Sequence, residues 1–215
     1  MRSPNSSFAL LLCLLLFGCG SPTQSAADRE AIESLFSQYR SAIADHAGDS
    51  AVACVTPDSL RLFDKIRQSA LHDDQGALET WNNTVALLVL YLRHRFTAAE
   101  LNAMDGKATL AAIIDDGMLD SESFQSTQLG KMVFQRQHDI PRGYSNAYID
   151  GSPSKVRLTF YQFEDGWKFG LDDYLAGRDV TIDLAEATAR WGAELEQLIQ
   201  PLDPNTEPAA SASNE

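Results

Sequence analysis

The sequence predicts an α+β domain: a helical layer packed on one face of a curved antiparallel sheet, with additional helices and a carboxyl-terminal helix. Three observations predict it. Apolar residues recur at helical spacing through the first half of the chain. After about Gln128 the period changes to alternation. Two turn dipeptides, Asp150-Gly151 and Asp165-Gly166, then separate runs of aromatic and β-branched residues in the manner of hairpins.

The helices come first. Ile32, Leu35, Phe36, Tyr39 and Ile43 predict a helix from Asp28 to His46, with Asp28 as its cap and Gly48 after its end. Ala51 to Val55 is a short apolar stretch that fits an irregular strand or the approach to a helix. Thr56-Pro57 reads as a helix start: a capping hydroxyl, then proline where its missing N–H costs nothing. Leu60, Phe63, Ile66 and Ala70 continue that helix. Leu78 to Phe96 reads as one long helix, apolar on most sides and therefore central. Thr97 and Glu100 form a capping box. A short helix runs from there to Met104 and stops at Asp105-Gly106, and another covers Ala108 to Asp116 and stops at Gly117.

The strands follow. Lys131 to His138 alternates, with Met132 and Phe134 on one face. Tyr144 to Asp150, Lys155 to Glu164 and Trp167 to Leu171 are the other candidates. A final helix starts near Asp183, buries Leu184, Trp191, Leu195, Leu198 and Ile199, and ends at Pro201.

The ends of the chain carry an address. Phe8 to Phe17 (FALLLCLLLF) is shorter than the roughly 20 apolar residues that span a bilayer and fits the core of a secretory signal. Leu16-Phe17-Gly18-Cys19 resembles the bacterial lipoprotein box, which implies cleavage before Cys19 and its acylation. Residues 1–18 are then a signal peptide. Residues 19–27 form a small, polar tether carrying the lipid, 28–202 a single α+β domain, and 203–215 a disordered tail. Two or three acyl chains give stable anchoring where one is marginal. Gly20 after the cysteine resembles outer-membrane sorting, which puts the domain in the periplasm of a cell that has an outer membrane. The expected membrane partner is reached through this anchor at Cys19.

Cleavage there removes Arg2 and no acid, so the net charge of −13 becomes one unit more negative. Such a chain repels nucleic acid, which is excluded as a partner. Cys54 then has no partner for an internal disulfide and reads as a small buried hydrophobe.

Helices followed by a strand meander, closed by Val156 to Leu175 (VRLTFYQFEDGWKFGLDDYL), resemble the cone-shaped superfamily of nuclear transport factor, ketosteroid isomerase and polyketide cyclase. The stretch looks like that family's last hairpin. The resemblance implies a pocket between sheet and helices, and hosts ranging from isomerases to non-catalytic binders. The family's acid-base set does not map onto this sequence, so no catalytic residue is carried over.

Motifs for chemistry are sparse. No two of His46, His72, His94 and His138 have the helical spacing that aims both at one ion, and His72-Asp73-Asp74 reads as a solvated loop, so no metal and no other cofactor is expected. No nucleophile elbow or phosphate loop is present. The pairs Asp115-Asp116, Asp172-Asp173 and Glu194-x-Glu196 read as solvated acids at element ends or on an exposed helix face. Arg93-His94-Arg95 reads as a favourable closing charge on a helix dipole.

Alternation places Arg136, His138 and Gln162 beyond the inward phenylalanines of two strands. Two readings follow. They line the mouth of a ligand pocket, with Arg136 for an anionic group and His138 for a hydrogen bond or proton transfer. Otherwise the strand leaves the core by Gln135 and these groups are simply wet. The expected function is a lipid-anchored, non-catalytic envelope protein that binds an unknown small ligand or envelope protein. The alternatives are a cone-fold enzyme acting on a small hydrophobic substrate and a structural assembly protein.

Overall fold

The computed structural model describes residues 22–119, 125–137, 140–149, 151–177 and 198–202, with the backbone alone at 22–25, 136 and 137. Among the described residues the named helices come first: α1 (Pro22–Ala44), α2 (Gly48–Val52), α3 (Pro57–His72), α4 (Gln75–Leu78), α5 (Asn83–Arg95), α6 (Ala98–Ala103) and α7 (Gly106–Asp115). The strands are β1 (Gln128–Leu129), β2 (Val133–Gln137), β3 (Ile140–Ile149), β4 (Ser152–Phe163) and β5 (Gly166–Phe169), and α8 (Leu171–Gly177) follows. The result is the α+β architecture expected: helices packed on a strongly curled antiparallel sheet. No helix among the described residues is long and apolar enough to cross a membrane.

Several ends obey their sequence signals. Thr56 caps α3 by accepting the Ser59 amide at 3.1 Å, with Pro57 in the first position. Thr97 and Glu100 close the capping box, each side chain on the other's amide, at 2.8 and 3.1 Å. Gly117 follows the end of α7, Gly151 lies in the turn between β3 and β4, and Gly166 opens β5, at positive φ of 74°, 74° and 118°.

Other boundaries differ from the sequence reading. α1 begins at Pro22, inside the stretch expected as a tether, because small residues after a first-position proline do not oppose a helix. The single helix expected over Leu78 to Phe96 is two. Asn82 breaks it by accepting the Val85 amide at 2.9 Å, and its own NH₂ donates to Leu175 O at 3.3 Å. The apolar period crosses that break unchanged, so hydrophobicity hid it. Leu171 is a helix residue rather than the end of a strand, and Asp172-Asp173 lie in the first turn of α8. The helix expected from Asp183 lies outside the described residues up to 197; of its end, Leu198 is buried against Leu87, Leu90 and Tyr91, and Ile199 is half-buried against the main core.

The sheet runs β1-β3-β4-β5, with β2 also on β3. Its register aligns Phe134, Gly143, Phe160 and Phe169 in one cross-strand row. α1 lies on that row. The Phe36 ring meets Phe160 and Phe169 edge-on at 6.0 and 5.8 Å, and Tyr39 meets Phe169 at 5.2 Å. Gly143 lets the helix approach: a Cβ there would stand 2.8 Å from Ile32 Cδ1. The free edge of β5 is covered by the chain before α3, since Phe169 N donates to Cys54 O at 2.8 Å and Thr56 N to Phe169 O at 3.0 Å. Cys54 itself is buried, as its sequence context suggested.

Candidate functional site

The inner face of the sheet is filled. Ile32, Phe36, Tyr39, Phe160 and Phe169 are all at most 3 % exposed, and their rings interlock where the cone resemblance implies a pocket. Arg136 sits opposite Pro141 and Gln162 opposite Trp167, so their backbone positions belong to this face, one row past the phenylalanines. In that row Trp167 is buried and its indole N–H donates to Asp28 Oδ1 at 3.4 Å. Gln162 is half-buried. His138 lies outside the described residues.

A different concavity forms at the other end of β5. α8 is held against the start of α3 by a buried hydroxyl. Ser59 Oγ donates to Asp172 Oδ1 at 2.7 Å and accepts the amides of Leu171 and Asp172 at 3.0 and 3.3 Å. The Thr56 hydroxyl adds a second bond to Asp172 at 3.3 Å. Asp173 accepts from Tyr161 Oη at 2.8 Å. Burial and that bond push the Tyr161 phenol up to about 12. The acidic pair expected to be merely solvated is therefore wired into the fold, and long-range hydroxyl partners such as Ser59 leave no local sequence signature.

Between α3, the α4–α5 break and α8 this arrangement leaves an open cleft of about 370 Å³. Asp58, Arg61 and Lys65 line it from α3, Asp172 and Asp173 from α8, and the Trp81 indole from the break. Trp81 is fixed by its N–H, which donates to Ser69 Oγ at 3.2 Å. Arg61 pairs with Asp58 across one helical turn, where both side chains remain more than half exposed. The lining thus offers both signs of charge beside one flat aromatic ring. That chemistry suits recognition of a group carrying both charges, through ion pairs and cation–π contact.

The other titratable clusters are structural ties. Arg93, read from sequence as a dipole partner, is 4 % exposed and donates to the carbonyls of Ser69, Ala70, Asp73 and Leu198. Asp115 accepts the Gly48 amide at 2.6 Å, and Asp116 holds Tyr91 and Arg95, each at 2.6 Å. Burial opposes ionisation of Asp116, but the bonds from Arg95 and Tyr91 outweigh it and hold the carboxyl below its usual range. Asp73 and Asp74 serve helix ends. No group of three or more potential metal ligands occurs among the described residues. Comparison with known protein families, curated proteins and solved structures found no match.

Proposed function

We propose that the chain is a lipid-anchored protein of the cell envelope whose domain binds a small ligand or a protein partner, without catalysis, in the cleft around Trp81. The observation that carries the reading is the cleft's lining: Asp58, Asp172 and Asp173 face the same space as Arg61, Lys65 and a fixed indole. Such a lining selects a small zwitterionic molecule, or a polypeptide segment bearing both charges, by electrostatic complementarity.

The anchor and the cleft fit one orientation. Toward its amino terminus α1 passes Phe169, then Gly143 and then Trp167, and so runs away from α8. A lipid on Cys19 would tie the Trp167 end of the domain to the membrane, the outer membrane where the cell has one. The cleft would then open toward the periplasm. The curled sheet under α1 supports the resemblance to the nuclear transport factor and ketosteroid isomerase superfamily. The filled inner face supports a second reading, a structural or assembly protein that takes no small ligand, over the cone-fold enzyme.

Native mass spectrometry of protein purified from its own envelope tests the proposal. Wild type should retain a ligand or partner that Trp81→Ala and Arg61→Glu lose. A chain with no added mass in any form would contradict it and favour the assembly reading.

A further inference from the structure

The opposite face of the sheet has a different character. Val133, Ile140 and Tyr148 are the large apolar side chains more than a third exposed among the described residues, at 37, 38 and 37 %. All three belong to this outer face. Val133 is opposite Tyr144, Ile140 shares a side of β3 with Arg142 and Tyr144, and Tyr148 lies farther along the same strand. The face also carries cations braced on aromatic rings. The Arg157 guanidinium lies 4.8 Å over Tyr144 and that of Arg142 lies 5.5 Å over Tyr161. Gln135 donates to Tyr144 Oη at 2.7 Å, which fixes the central ring. In a chain of net charge −13, a face built from two arginines, three tyrosines and exposed aliphatic groups is a local reversal of sign. At its margin β2 pairs with β3 alone, so its other edge has no strand partner among the described residues.

We propose that this outer face, with the edge of β2, docks an acidic, extended segment of a partner protein. The edge supplies main-chain hydrogen bonds by strand addition, and alternate acidic side chains of the added strand reach across β2 toward Arg157, whose guanidinium lies over Tyr144 opposite Val133. The side chains between them turn to the opposite face of the added strand. Charge complementarity selects this occupant. A second copy would bring the same arginines, and an anionic bilayer would be opposed by the charge of the whole domain and would leave the strand edge unused. The site is separate from the cleft around Trp81 and does not rest on its function.

The test uses the full chain in neutral detergent and two fluorescein-labelled dodecapeptides, one alternating valine with glutamate and the other valine with lysine. Anisotropy should report binding of the acidic peptide only. Arg157→Glu should weaken it by roughly tenfold or more, as should high salt, while the melting temperature stays unchanged because Arg157 is exposed. Arg157→Lys should retain most of the binding. Equal binding of both peptides, or of neither, overturns the proposal. So does binding to mixed phosphatidylcholine and phosphatidylglycerol vesicles, or self-association in sedimentation, that Arg157→Glu abolishes while the acidic peptide fails to bind.

Discussion

The Ser59 hydroxyl donates to Asp172 at 2.7 Å and accepts two amides from the first turn of α8. One buried oxygen therefore joins the start of α3 to a helix more than a hundred residues later and sets one wall of the cleft. Ser59→Ala should cost about 1–3 kcal/mol, since it leaves buried amides and a carboxylate oxygen without their partner. Urea denaturation measures it. Asp172→Asn in the same background should add less than it does alone, because the two changes break one network. Additive losses would mean that the two groups act independently.

Gly143 sets how closely α1 approaches the sheet. Gly143→Ala should destabilise the domain by about 1–3 kcal/mol through overpacking against Ile32. Ile32→Val removes the terminal methyl in the way and should recover part of that loss when combined with it. No recovery in the double variant would show that the cost lies elsewhere.

Arg93 ties the carboxyl end of α3 to the segment at Leu198. Arg93→Met keeps the stem but leaves those carbonyls without a donor, at a cost of about 1–3 kcal/mol. Limited proteolysis should then cut near Leu198 faster than in wild type, and an unchanged cleavage rate would contradict the tie.

Tyr161 gives a pH signature. Its folded phenol is pushed to about 12, by burial first and by the bond to Asp173 second, from an ordinary value near 10. A group raised on folding contributes stability that is complete below the unfolded value and is lost as pH climbs through the folded one. Stability should therefore fall between about pH 10 and pH 12, and Tyr161→Phe should make that fall shallower. Denaturation midpoints across this range, compared for the two proteins, check it. Parallel curves would show that Tyr161 carries none of the effect.

The parts of this fold that were legible in the sequence are those whose cause is local. The Thr56-Pro57 start, the Thr97–Glu100 box and the Asp-Gly turns each depend on neighbours within four residues, and each is present. The break at Asn82 was hidden because the apolar run continues across it. α8 was hidden because its cap, Ser59, comes from a distant part of the chain. The candidate site followed the same rule. Alternation placed the backbone positions of Arg136 and Gln162 in the row past the phenylalanines, but the cleft is made by Trp81, α3 and α8 meeting in space, which no spacing along the chain records.

The orientation of the cleft depends on the proposed anchor, so the intact mass of the chain extracted from its own membranes is the most direct test of this account. The account predicts a species that begins at Cys19 and carries acyl chains, and a Cys19→Ala form that is unprocessed or no longer partitions with membranes. A membrane-bound chain without lipid on Cys19, or a Cys19→Ala variant cleaved and retained as before, would contradict it.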